Sequence, residues 1–259
     1  MSMLRFADDI ALIAENKEDL VQLIKTMYET FNKELDMRIN VKKTKVLVCG
    51  RENRTIIQVK IQNQVIEQVD EFTYLGSAIS NDGKNRSEIV KRICQAKIAF
   101  NNKKTIFTSK NISLKTRKNL LKTYVWSIAL YGCETWTITM EERRRLEAFE
   151  LWCYRRMLRI SWMDRVTNEE VLERVSEGKL LWKNIVRRRN EWIGHIMRHN
   201  GLLKLIIEGR VEGKNRKGRP RLEFIQQIIK DQGCDSYVEM KRKADKREEW
   251  RMAENQSTD

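Results

Sequence analysis

Leu4, Phe6, Ile10 and Leu12 alternate with period two on either side of Asp8-Asp9. That pattern predicts two short strands joined at the acidic pair as a tight hairpin. Asn16, with Asp19 three residues on, reads as a helix N-cap. Leu20, Ile24, Met27, Phe31 and Leu35 then form one stripe at helical spacing, which predicts a packed helix. Period two returns at Met37, Ile39 and Val41 and again at Val46 and Val48, giving two strands around the basic corner Lys42-Lys43-Thr44-Lys45. Further strands fall at about 55–61 and 65–70 around Asn63-Gln64, and "EFTYLGSAIS" closes at the turn Asn81-Asp82-Gly83. From residue 84 the period lengthens to that of a helix, with Ile89, Ile93, Ala96 and Phe100 on one stripe. Ser113 caps a second helix carrying Leu114, Leu121, Tyr124, Val125 and Ile128. Capping boxes at Thr139/Glu142, Thr167/Glu170 and Ser236/Glu239 open three more. A long helix near 178–199 carries Leu181, Ile185, Trp192 and Ile196, and the glycine- and arginine-rich stretch 212–221, with the sole proline, reads as an extended loop. The fold class is α+β: a small antiparallel sheet with a helix, then a mainly α-helical remainder.

Composition sharpens this reading. One proline and eleven glycines in 259 residues are few, which fits long helices with short connections. A hydrophobic content of 41% makes the chain globular rather than disordered. No apolar run approaches the ~20 residues that span a bilayer, and Asp8 and Asp9 stand where a signal peptide would be apolar. Five cysteines with no CxxC pair fit a reducing compartment, so an intracellular site, nuclear or cytoplasmic, is expected. The net charge of +15 is concentrated. Residues 84–123 hold twelve Lys/Arg against one acidic residue, net +11, and 179–221 hold thirteen against three, net +10. The other three stretches are each near −2. Two segregated positive blocks suit a polyphosphate partner, because release of counterions from nucleic acid drives binding. The basic helices lack the Trp- and Phe-rich opposite face of a membrane-surface helix, so no membrane partner is expected.

Asp8-Asp9 is the first candidate for chemistry. Asp is a poor strand former, and adjacent like charges repel. A solvated acidic turn would explain the pair, and so would a hard divalent cation held by its oxygens. His195 and His199, at i, i+4 on a helix, have zinc-ligand spacing but no CxxC nearby. The "RKGRPR" run could enter a narrow minor groove or contact RNA phosphates. The seven tryptophans read as core or helix-packing residues.

The order of these segments resembles reverse transcriptases of non-LTR (LINE-type) retrotransposons, from the middle of the palm onward. "FADD" resembles that family's F/Y-A-D-D motif, and "INVKKTK", with Asn40, Lys43 and Thr44, its N-x-x-K-T segment. "FTYLG" resembles the primer-grip strand, and "ALYGCETWTIT", "EWIGHIMRH" and "KGRPR" resemble segments that follow the thumb. The resemblance implies a partial palm at 1–83, a thumb at 84–138 and a helical C-terminal region at 139–259 with its basic loop at 212–221. It implies Mg²⁺ as cofactor at Asp8 and Asp9, which would be catalytic together with Lys43 near the leaving group. Phe72, Tyr74 and Gly76 would form the primer grip. RNA and DNA, as template and primer, would be the partners, contacted by Lys91, Arg92, Lys97, Lys103, Lys104, Lys115, Arg117, Lys118 and Lys122 and by Arg216, Lys217, Arg219 and Arg221. The family also needs a third aspartate and a fingers region N-terminal to the hairpin. The chain is therefore expected to be a C-terminal fragment of an RNA-directed DNA polymerase, inactive without that N-terminal polymerase region. The alternative is a non-enzymatic, host-retained nucleic-acid-binding protein.

Overall fold

The computed structural model describes residues 2–34, 36, 38–50, 56–209 and 224–256, and of Ser2, Lys33, Glu34 and 253–256 the backbone alone. The chain forms two compact units, 1–87 and 88–259.

In the first unit, β1 (Ser2–Phe6) and β2 (Asp9–Ile13) pair antiparallel, with Phe6 opposite Asp9 and Leu4 opposite Ala11. The link is Ala7-Asp8, one residue earlier than the Asp8-Asp9 junction expected from the alternation. Asn16 caps α1 (Lys17–Glu34) as expected, its Oδ1 accepting from Asp19 N at 2.8 Å. Ile24 of α1 packs with Val46, Val59, Ile61 and Ile66 in a small core, joined by Leu12 of β2. Period two places Leu4, Phe6 and Ile13 on the opposite hairpin face, where all three are exposed.

Further features of this unit differ from the sequence reading. Residues 38–40 form no strand, because Asn40 folds the chain into a turn instead. Its Oδ1 accepts from Lys43 N at 3.2 Å, and its carbonyl accepts from Thr44 N at 3.0 Å and Thr44 Oγ1 at 2.9 Å. A short polar side chain that satisfies nearby backbone competes with a strand ladder, and here it wins. Second, β3 (Lys45–Leu47) pairs parallel with β6 (Glu67–Val69), with Lys45 ion-paired to Glu67, so the sheet is not purely antiparallel. Among the described residues the strands form four separate pairs rather than one sheet. Third, β4 (Lys60–Ile61) and β5 (Gln64–Val65) turn at Gln62-Asn63, both at positive φ, one residue before the expected position. The "FTYLG" segment, expected as a strand running on to the turn at Asn81-Asp82-Gly83, is instead a hairpin of β7 (Glu71–Tyr74) and β8 (Ser77–Ser80), turning at Leu75-Gly76 with φ of 47° and 82°. Two positive φ values match the twist of a two-residue hairpin, and glycine takes the second without strain.

The second unit is helical. α2 (Arg86–Asn102) leads through α3 (Lys104–Phe107) to α4 (Leu114–Leu120), which continues as a π-helical stretch, Leu121–Trp126, into α5 (Ser127–Ala129). Then come α6 (Met140–Leu158), α7 (Asn168–Val175), α8 (Leu180–Arg198), α9 (Leu202–Glu208), α10 (Phe224–Asp231), α11 (Tyr237–Asp245) and α12 (Arg247–Gln256). The boxes at Thr139/Glu142 and Thr167/Glu170 are both formed. Ser236 accepts from Glu239 N, but Glu239 turns to Asp235 N rather than closing its box. One core gathers Ile89, Phe100, Leu121, Trp126, Leu146, Phe149, Leu181 and Ile185. The other gathers Ile193, Met197, Ile228, Met240, Ala244 and Trp250. α8 contributes to both. Trp126, Trp136 and Trp250 are buried and Trp152, Trp182 and Trp192 half-buried, but Trp162 is 87% exposed, contrary to the expectation for all seven. No disulfide links the cysteines, of which Cys133, Cys153 and Cys234 are buried and Cys49 and Cys94 exposed. Among the described residues, no helix is long and apolar enough to cross a membrane.

Gly194 lies against Trp250, and a Cβ there would sit 2.5 Å from Trp250 Nε1. The indole cannot readily retreat, because Nε1 donates to Asn190 O at 2.9 Å. Glycine to alanine in a helix interior ordinarily stabilises by about 1 kcal/mol. Gly194→Ala should instead destabilise by about 1–3 kcal/mol, read as a lowered denaturant midpoint.

Glu150 of α6 is buried and accepts from Leu180 N at 2.9 Å, Leu181 N at 3.2 Å and Tyr154 Oη at 3.2 Å. It thereby caps α8, while burial pushes its carboxyl up to about 7. The folded state thus holds a proton that the unfolded chain releases near pH 4.5. Stability should therefore fall as pH rises from about 4.5 and level off above about 7, by an amount on the order of 3 kcal/mol. Glu150→Gln keeps an acceptor for the α8 amides, and chemical denaturation across this range should show that part of the decline removed.

Candidate nucleic-acid interface

The tip of the first hairpin is strained. Ala7 has φ of 51° at the first link position, where glycine is the usual occupant. The next residue, Asp8, stands in the turn, and Asp9 begins β2 on the face it shares with exposed Phe6. Both aspartates are exposed. Two exposed carboxylates are only part of the donor set a divalent cation takes in place of water. Among the described residues, no group of three or more His, Cys, Asp or Glu comes together to hold a metal. These residues alone do not fit a complete Mg²⁺ site.

The other motif residues of this unit fall into two places. Lys43 is exposed, and its backbone is fixed by the Asn40 turn. Asn40 and Thr44 thus act on backbone geometry, which gives the N-x-x-K-T spacing a local physical meaning. Phe72 and Tyr74 are half-buried on one face of β7, with Ile79 and Ser77 opposite them, and Gly76 occupies the turn.

In the helical unit the fold divides the basic residues into two classes. Arg92 is buried in an i, i+4 ion pair with Glu88 at 2.6 Å, its guanidinium 4.3 Å from the Tyr131 ring centroid. Arg117 ties three segments together, donating to Ile112 O at 3.0 Å, Phe107 O at 3.2 Å and Met157 O at 2.8 Å. Lys118 donates to Val175 O at 2.8 Å, and Lys122 pairs with Glu177 at 2.7 Å. Burial alone would raise the Glu177 carboxyl, but hydrogen bonds from Lys122 and Lys118 hold it below the usual carboxylate range. These four cations are engaged within the protein. Lys97 lies 5.3 Å from the Trp152 ring centroid, and Lys91 is half-buried. Lys103, Lys104 and Lys115 are exposed, as is Lys110, which the sequence reading counted in the block but did not single out.

Arg216, Lys217, Arg219 and Arg221 lie outside the described residues. His195 and His199 lie with ring centroids 4.3 Å apart and planes tilted by 36°, and His199 Nδ1 is 2.7 Å from His195 O. That nitrogen is directed at backbone, and no third ligand joins the pair among the described residues.

Comparison with known proteins finds similarity in the first unit and along most of the chain. The reverse transcriptase (RNA-dependent DNA polymerase) family matches residues 1–79, which include both the Asp8-Asp9 hairpin and the "FTYLG" segment. A transposon-derived protein of Caenorhabditis elegans is 28% identical over 207 residues, covering 76% of this chain and 72% of that protein. No solved structure matches the chain. The protein is therefore reverse-transcriptase-like in its first unit and similar to a transposon-derived protein over most of its length.

Proposed function

We propose that this chain is a portion of a non-LTR-type reverse transcriptase that binds template–primer nucleic acid. In this reading 1–83 is a partial palm, 84–138 a thumb, and 139–259 a helical region carrying a further basic loop. The observation that carries it is the acidic hairpin inside the family match, followed by a helical unit with the exposed cations Lys103, Lys104, Lys110 and Lys115. Phe72, Tyr74 and Gly76 would support the primer end, and Asp8, Asp9 and Lys43 would belong to the nucleotidyl-transfer centre of the complete enzyme. The two-carboxylate hairpin also favours a second reading for the chain by itself, in which it binds nucleic acid without catalysis.

The two readings part on activity. Purified chain with Mg²⁺ or Mn²⁺ should not extend a primer on an RNA template. Template-dependent extension above an Asp8→Ala control would show that the catalytic set is complete.

Binding is tested through salt dependence. Each neutralised phosphate on a duplex contributes about −0.9 to the slope of log affinity against log salt. Changing Lys103, Lys104, Lys110 and Lys115 to Gln should flatten that slope by about 2–4 and weaken binding alike across sequences. Removing the same number of charges at exposed Lys230, Arg242, Arg247 and Arg251 should change the slope much less. Equal effects would mean that only the total field acts, and the located surface would be abandoned.

A further inference from the structure

The turn between α6 and α7 holds a side chain that the reading above does not use. Trp162 is 87% exposed and Met163 beside it 71%. Every other tryptophan of the chain is buried or half-buried. A large aromatic left in water is informative, because burying it is favourable wherever the fold permits.

The turn is not loose. Ser161 N donates to Asp164 Oδ2 at 2.6 Å and Met163 N to Ser161 Oγ at 3.3 Å, a capping box around a short 3₁₀ turn, Trp162–Asp164. On the upstream side Arg159 Nε donates to Thr108 O at 3.0 Å. On the downstream side Arg155 Nη2 donates to Val166 O at 2.8 Å and Asn168 Oδ1 at 2.9 Å. The indole is thus held in solvent by a fixed backbone, and a ligand stacking on it need not first order the turn.

The same hydrogen bonds fix its surroundings. Arg159 binds at Thr108, and Arg117 bridges Phe107 and Met157, so the turn lies beside the segment that carries Lys104, Lys110 and Lys115. Arg159 and Arg165 flank the indole in sequence and are exposed. Asp164, the one carboxylate within 159–166, is turned back onto the Ser161 amide. A protein-docking aromatic calls for an apolar surround, and a membrane anchor for several aromatics on one face. An exposed flat aromatic flanked in sequence by two exposed arginines instead matches an unpaired base with its neighbouring phosphates.

We propose that Trp162 is a stacking platform for an unpaired base of single-stranded nucleic acid, with Arg159, Arg165 and Lys110 contacting the phosphates beside it. This rests on the nucleic-acid-binding reading and adds a preference for unpaired strands, since bases inside a duplex have their faces covered.

The test uses the full chain, an oligouridine single strand and a blunt duplex of equal length, followed by fluorescence anisotropy. Trp162→Ala should weaken the single strand about tenfold and the duplex less than about twofold, with the salt slope unchanged because stacking releases no counterions. Trp162→Phe should recover most of the loss. The thermal midpoint of Trp162→Ala should match the parent, since the side chain is exposed. Equal losses on both probes would overturn the proposal. So would an unchanged single-strand affinity while the four-lysine variant still weakens binding, an outcome that leaves the nucleic-acid reading standing. Absence of binding to either probe by the parent chain would overturn both. Self-association or binding to anionic vesicles that Trp162→Ala abolishes, with single-strand affinity intact, would reassign the indole to that partner.

Discussion

The helical unit depends on one buried cation. Leu181, Ile185, Arg189, Ile193 and Met197 follow one another at intervals of four along α8 and are all buried. The first two belong to one core and the last two to the other, and Arg189, 1% exposed, stands between them. An unpaired charge there would cost several kcal/mol, so partners must be brought to it. Arg189 donates to Trp136 O at 3.3 Å and Gln227 Oε1 at 2.8 Å, and it pairs with Asp231. Gln227 in turn accepts from Ile138 N at 3.0 Å. One guanidinium therefore fixes the extended segment 136–138 and α10 against α8, which closes both cores around the same helix. Burial raises the Asp231 carboxyl, and Arg189 works against that rise. A pair of this kind gives little net stability compared with an apolar substitute, but losing either partner alone is costly.

The same logic sorts the rest of the positive charge. The chain has far more cations than its acids can neutralise, yet the fold uses several as fasteners. Arg117 joins α4 to the ends of α3 and α6, and Arg92 is sealed under Tyr131. A guanidinium suits this work because its planar fork can satisfy several carbonyls at once. The exposed lysines at 103, 104, 110 and 115 lie on segments adjoining those that Arg117 ties together. Nucleic-acid affinity and structural stability thus draw on neighbouring residues of the same type, and a substitution series that ignores burial would confuse the two.

The first unit is built on a different principle. Its strands are short and paired two by two, and its turns carry the geometry: Ala7, Gln62, Asn63, Leu75 and Gly76 all sit at positive φ. Backbone of this kind costs energy and is kept where surrounding structure over-determines it. At Ala7 the strain lies next to Asp8, so the acidic pair is held at a defined tip while the apolar residues of one hairpin face stay in water.

Local signals were legible in the sequence and distant ones were not. Asn16, Ser113, Thr139 and Thr167 cap helices as their spacing required, because a cap needs partners only a few residues away. The acidic hairpin and the helical stripes of α1 and α2 followed from periodicity for the same reason, whereas the turn at Leu75-Gly76 fell inside a stretch whose alternation reads as one strand. The spacing of α8 was read through Leu181 and Ile185 but lost at Arg189, since a cation on a core stripe breaks the apolar pattern that reveals the stripe. Whether a cation is a fastener or a free charge depends on groups far along the chain: Arg189 meets Asp231 42 residues away, and Lys122 meets Glu177 55 residues away. The parallel pairing of β3 with β6, the internal use of Arg92 and Arg117, and the exposure of Trp162 were decided the same way. Sequence by itself determined most of the helices, the acidic tip and the excess of positive charge. Tertiary structure decided which charges and which aromatic face water, because burial depends on what the rest of the chain brings alongside.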